Sequence, residues 1–289
     1  MIVYLGAYTE SGGRAKGVYS FNFDPETGRI DRLRLVAQSA NPTYMALSST
    51  GEFLYAVNET TEWRGQRTGA VSAFAVGDGG NLSFLNQVSS GGRGPCHIAL
   101  APESPWAVVS NYTDGSISVL PINADGSLSA PSQTICFQGK SVDAERQTAS
   151  HAHCFAFDND GKRGFVCDLG ADKVRCFHLR ASQLKEEVTF ASDPGSGPRH
   201  MIFHPSKPLA YVVNELNSTV DVLNMRLKGN RGSAQKLQTL TTLSEPLHGN
   251  TASAIKLDAD ARFLYTSNRG RDGITVFGVQ DSGLLKYAG

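Results

Sequence analysis

The sequence predicts an all-β propeller, on three observations. The first is a sentence repeated five times: Asn41-Pro-Thr-Tyr-Met-Ala-Leu to Asn58, Gly94-Pro-Cys-His-Ile-Ala-Leu to Asn111, His151-Ala-His-Cys-Phe-Ala-Phe to Asp168, Gly197-Pro-Arg-His-Met-Ile-Phe to Asn214, and Asn250-Thr-Ala-Ser-Ala-Ile to Asn268. The second is its period, roughly 46 to 57 residues between the terminal Asn or Asp residues, the range of propeller blades and solenoid coils. The third is its grammar. Each copy reads as two short strands around a Pro/Asp/Gly turn, then a third such as Ala70–Val76, then a fourth apolar run such as Ser83–Val88. That makes a four-stranded antiparallel blade.

Taken in order, the opening Ile2-Val-Tyr-Leu with Gly17-Val-Tyr-Ser-Phe matches only the second half of a repeat. The last repeat ends in Gly273–Val279 and Leu284–Gly289, with no further copy after it. The expectation is a single propeller domain over residues 1–289, with about six blades present and a final blade of roughly 50 residues lacking, because an open ring would expose strand edges. Between the blades, segments such as Gly77-Asp-Gly-Gly-Asn and Asn123-Ala-Asp-Gly-Ser read as turns. The stretch 138–150 carries Gly139-Lys-Ser, but Thr134 stands where a phosphate loop needs glycine, so it receives little weight. Helical periodicity is scarce, and only Arg180–Glu187 suggests a short helical turn.

Composition narrows the function. The 289 residues are 40% apolar and carry 27 basic and 27 acidic side chains, a formal net charge of zero with no Lys/Arg run. Nucleic acid is therefore not an expected partner. No apolar stretch approaches a membrane span or a signal-like segment, so neither a membrane nor export is expected. Five cysteines without a Cys-x-x-Cys pair fit a reducing, cytoplasmic setting.

A fixed repeat makes its exceptions visible. Fifteen residues before the terminal Asn/Asp stand Thr43, Cys96, His153, Arg199 and Ser253; just after it stand Glu59, Tyr112, Leu169, Glu215 and Arg269. Equivalent positions of successive blades are neighbours around a ring. His153 with Arg199, and Glu215 with Arg269, should therefore meet across blade boundaries. Two guanidiniums make a receptor for carboxylate or phosphate. A His and a Glu beside them supply proton transfer, with Glu215 kept ionised by the arginines and His153 carrying the proton. His151 competes with His153 for that role. His97 and His200 read as packing positions, although His200 is also a candidate for substrate contact. The terminal amides Asn214 and Asn268 read as strand-end residues or as donors to sugar hydroxyls. His151 with His153, and His200 with His204, each share a strand face, and Asp168 could join them on a metal. Nearby arginines would repel a cation, so no metal and no other cofactor is expected.

The segments Gly197-Pro-Arg-His-Met-Ile-Phe-His-Pro and Tyr211-Val-Val-Asn-Glu-Leu-Asn-Ser-Thr-Val closely resemble the bacterial propeller-type 6-phosphogluconolactonases. Val3-Tyr-Leu-Gly-Ala-Tyr-Thr, Gly94-Pro-Cys-His, Asp168-Leu-Gly-Ala-Asp and Tyr265-Thr-Ser-Asn-Arg-Gly resemble the wider lactonase propellers, carboxymuconate lactonizing enzymes included. The resemblance implies a seven-bladed propeller and hydrolysis of 6-phospho-D-glucono-1,5-lactone in the oxidative pentose phosphate pathway, without metal or organic cofactor. The muconate branch implies a His, two Arg and a Glu, which map onto His153, Arg199, Arg269 and Glu215. The expected partner is a phosphorylated sugar lactone, and the expected state a monomer or weak homo-oligomer. Two other readings stay open: a muconate-type substrate, and a non-catalytic scaffold for which Trp63-Arg-Gly-Gln-Arg offers a loop.

Overall fold

The computed structural model describes residues 1–10, 13–102, 104–180, 183–228 and 231–288. They form two compact units, Met1–Cys136 and Phe137–Gly289. The first holds a three-stranded sheet of β1 (Ile2–Leu5), β2 (Gly17–Phe23) and β3 (Ile30–Gln38). It also holds two four-stranded sheets: β4 (Met45–Leu47), β5 (Phe53–Asn58), β6 (Ala70–Val76) and β7 (Leu82–Ser89), then β8 (Pro95–Leu100), β9 (Trp106–Asn111), β10 (Ser116–Pro121) and β11 (Gln133–Cys136). The second unit has three four-stranded sheets. These are β12 (Ala152–Phe157), β13 (Arg163–Asp168), β14 (Lys173–Arg180) and β15 (Gln183–Ala191); β16 (Pro198–Phe203), β17 (Leu209–Asn214), β18 (Thr219–Lys228) and β19 (Arg231–Thr241); and β20 (Thr251–Leu257), β21 (Phe263–Arg269), β22 (Gly273–Val279) and β23 (Leu285–Tyr287). Every pairing is antiparallel between strands adjacent in sequence, as the blade grammar requires.

The expected helical turn at Arg180–Glu187 is replaced by strand: β14 runs to Arg180 and β15 starts at Gln183, with Leu179 opposite Leu184. Residues 181 and 182 lie outside the described residues. β14 pairs with β15 from Lys173 to Arg180 while Val174 and Cys176 alternate into the core, and this outweighs the weak helical preference of a Lys/Glu-rich stretch.

The middle strands explain why the repeat reads as unbroken apolar runs. All six residues of β17 are buried, yet its two faces serve different cores. Ala210 and Val212 pack with Cys154, Phe165, Cys167, Val174 and Cys176 of the preceding sheet. Leu209, Tyr211 and Val213 pack with Ile255, Leu264 and Phe277 of the next. In the first unit β5 divides the same way, Leu54 and Ala56 to one side and Tyr55 and Val57 to the other. Period-two alternation thus buries both faces, as in face-to-face stacked sheets. Cys154, Cys167 and Cys176 serve here as small apolar residues, and burial pushes the Cys176 thiol up to about 12.

One irregularity recurs. Pro95, Ala152, Pro198 and Ala252 pair with Asn111, Asp168, Asn214 and Asn268, and immediately afterwards the register slips. Cys96, His153, Arg199 and Ser253 are therefore β-bulge residues. A bulge frees its extra residue from the ladder and re-aims the side chain. These are four of the five positions that the repeat had aligned fifteen residues before the terminal Asn/Asp.

Candidate active site

The strand ends of the second unit carry the site. Glu215 follows the last residue of β17, its backbone N–H donating to the Gly197 carbonyl at 2.8 Å. Its side chain is only 3% exposed. Oε2 accepts from Arg199 Nε at 2.8 Å and lies 2.8 Å from Arg269 Nη2; Oε1 accepts from Arg146 Nη2 at 2.6 Å. His153 Nε2 stands 4.0 Å from Oε2. Burial alone would raise the Glu215 carboxyl, but Arg199, then Arg269 and Arg146, outweigh it and hold it below the ordinary glutamate value.

Arg199 is fixed at three points: Nε on Glu215, Nη1 donating to the Ser253 carbonyl at 3.0 Å, and Nη1 beside His200 Nε2 at 3.3 Å. The His200 ring meets that of His153 edge-on, centroids 5.3 Å apart. His153, Arg199, Glu215 and Arg269 thus come together, with His200 against two of them. The His151 ring lies against the turn Leu169–Ala171, its Cδ2 2.8 Å from where a Cβ on Gly170 would stand, and the His151 backbone N–H donates to Asp168 Oδ1 at 2.9 Å.

The terminal amides are engaged by neighbouring polar groups. Asn268 donates to the Thr242 carbonyl and Thr275 Oγ1, while its Oδ1 accepts from Thr242 Oγ1 and Asn250 Nδ2. Asn214 Nδ2 donates to Thr219 Oγ1 and Asp221 Oδ2, both at 2.9 Å, and its Oδ1 is buried with no hydrogen-bond partner among the described residues. Asp168, the one acid in this series, is matched seven residues later by Arg175, where the other blades of this register place Asp221, Thr275 or Ser118. Asp168 is thereby held by a guanidinium. No group of three His, Cys, Asp or Glu side chains that could hold a metal occurs among the described residues. His204 does not share a strand face with His200, because β16 ends at Phe203; its Nδ1 accepts from the Ser206 N–H, and burial followed by Lys207 keeps its pKa low.

Arg146 was not among the sequence candidates. It comes from the segment 138–150, which has no counterpart in the repeat and so no register to read. Asp143 Oδ1 accepts the N–H groups of Glu145 and Arg146, and buried Gln147 donates Nε2 to the Leu169 carbonyl at 2.9 Å. Ala149 O lies 1.8 Å from where a Cβ on Gly170 would be, so this docking requires glycine there. Gly170→Ala is expected to displace the loop, lower stability by about 1–3 kcal/mol and reduce turnover, checked by thermal melting and steady-state kinetics.

The Glu215 carboxylate is also a structural keystone. Glu215→Gln should cost about 2–4 kcal/mol at neutral pH, less than a fully enclosed pair because Arg146 and Arg269 are 40% and 51% exposed. The sign follows from the depressed pKa. Stabilisation by the carboxylate is present above the unfolded-state value and is lost as pH falls through the lower folded-state value. The Tm gap between wild type and Glu215→Gln should therefore narrow only in acid, which melting curves at a series of pH values check.

Repeated four-stranded blades, with a histidine and an arginine on successive bulges beside one buried carboxylate, define the chain as a β-propeller. The chain belongs to the lactonase, seven-bladed β-propeller family, whose model matches residues 2–289. It is 34% identical over 289 residues to the 6-phosphogluconolactonase of Bacillus subtilis, covering 99% of this chain and 80% of that protein. It is 30% identical over 296 residues to that of Formosa agariphila, covering 99% and 82%. The solved periplasmic gluconolactonase of Pseudomonas aeruginosa superposes with a TM-score of 0.90 at 31% identity, covering 99% of this chain and 81% of that one. No described helix is long and apolar enough to cross a membrane.

Proposed function

We propose that this site hydrolyses 6-phospho-D-glucono-1,5-lactone to 6-phosphogluconate, the reaction named for two of the relatives and a step of the oxidative pentose phosphate pathway. The observation that carries the reading is three guanidiniums on one carboxylate, with a histidine 4.0 Å away. One acid offsets one arginine, so the group keeps a surplus of positive charge suited to an anionic substrate. Held ionised by its arginines, Glu215 is a weak base, and the proton falls to His153.

In this mechanism water adds to the lactone carbonyl carbon as His153 takes its proton. Arg199 and Arg269 stabilise the oxyanion that forms. The bond from that carbon to the ring oxygen then breaks, and His153 returns the proton to the departing oxygen. Glu215 holds the arginines in place and faces the imidazolium. The step assigns nothing to a metal: the arginine surplus would oppose one. The proposal carries with it a cytoplasmic location and a monomer or weak homo-oligomer, which fractionation and size-exclusion chromatography test.

The test is release of 6-phosphogluconate from freshly generated lactone, coupled to its dehydrogenase and compared with the spontaneous rate. Acceleration supports the reading; none from folded protein overturns it. The same arginine surplus suits a dicarboxylate, so a muconate-type lactone belongs in the panel, and turnover of that alone would move the substrate.

A further inference from the structure

We infer that Asp172 is a positioning residue that sets Arg146 and Glu215 relative to one another. The inference rests on the reading of Arg146, Arg199 and Glu215 as one anion-receiving group. Asp172 ends the turn after β13 in the left-handed region, φ 50°. The same place in the neighbouring repeats is Gly115, Ser218 and Asp272, all with φ between 51° and 57°. In the next blade this position makes a modest clasp: Ser218 Oγ donates to the Asn250 carbonyl at 3.2 Å and accepts from Asn250 Nδ2 at 2.9 Å. Ser196 stands where Asn250 does, eighteen residues before the terminal Asn.

Asp172 turns that clasp into a four-bond hub, in a residue only 4% exposed. Its Oδ1 accepts from Gly197 N at 2.7 Å and Ser196 Oγ at 3.2 Å; its Oδ2 accepts from Gly195 N at 2.7 Å and Ser141 Oγ at 2.5 Å. The first three bonds hold the segment leading into the Arg199 bulge. The carbonyls of Ser196 and Gly197 in turn accept the N–H groups of Leu216 and Glu215. The fourth bond reaches the loop that carries Arg146, and Ser141 N also donates to the Gln147 carbonyl. One carboxylate therefore ties the support of Glu215 to the support of Arg146, two groups meeting at 2.6 Å. A serine at this position would keep the ordinary clasp and lose the arm to the loop.

The experiment compares wild type, Asp172→Ser, Ser141→Ala and each combined with Arg146→Ala, by lactone hydrolysis and by hydrogen exchange of residues 139–149. Asp172→Ser and Ser141→Ala are expected to lower kcat/KM, Asp172→Ser by about 10- to 100-fold, as for a misplacement of about 1 Å. Exchange in the loop should quicken at least tenfold while the cores of β13 and β17 keep their protection. In the Arg146→Ala background, Ser141→Ala should cost nothing further. Unchanged loop exchange in Asp172→Ser, or a Ser141→Ala penalty that persists without Arg146, overturns the inference. If wild type hydrolyses no lactone, the proposed reaction fails, and loop exchange alone decides the positioning role.

Discussion

His153→Ala is expected to lower kcat/KM for the lactone by about 10² to 10⁴-fold, the usual worth of one well-placed proton-transfer group. His153 is buried on a bulge, its ring braced edge-on by His200 and its Nε2 facing Glu215. Truncation leaves the guanidinium–carboxylate cluster standing and removes the imidazole to which the mechanism assigns proton transfer. Thermal melting should show the fold retained, so the loss reads as chemistry. Stopped or steady-state assays of His151→Ala provide the contrast. With its ring over the turn Leu169–Ala171, that variant should lose less. A larger loss in His151→Ala than in His153→Ala would move the proton to the other histidine.

Arg199→Ala should reduce kcat by about 10² to 10³-fold, the cost of deleting one preorganised donor to a developing oxyanion. Arg199→Lys should recover little. An ammonium cannot span the Glu215 carboxylate and the Ser253 carbonyl at once, whereas the guanidinium places Nε on one and Nη1 on the other. Wild-type kcat/KM in either variant would remove Arg199 from the mechanism. The Lys variant also separates charge from geometry, because it keeps the first and loses the second.

Much of this arrangement could be read in the chain because a repeat supplies its own coordinate system. Counting back fifteen residues from Asn214 found Arg199, and counting forward one found Glu215, without knowledge that the first sits on a bulge. The bulge is why the counting worked: the extra residue recurs at the same offset in four blades, so positions keep their equivalence despite the slipped ladder. Arg146 was invisible for the converse reason. It belongs to an insertion, whose docking through Gln147 and Ser141 brings it to Glu215. Asn214 and Asn268 were legible as strand-end residues, but not the hydroxyl and carboxylate partners that engage their amides. The segment Arg180–Glu187 misled because local propensity there ran against the alternation of its blade.

The recurring bulge has a consequence for how such a protein changes over time. Its extra residue bears no ladder duty, so Cys96, His153, Arg199 and Ser253 occupy interchangeable sockets whose contents vary while the pairings on either side persist. Selection can therefore try new chemistry one blade at a time, and the scaffold beneath need not be rebuilt for each attempt.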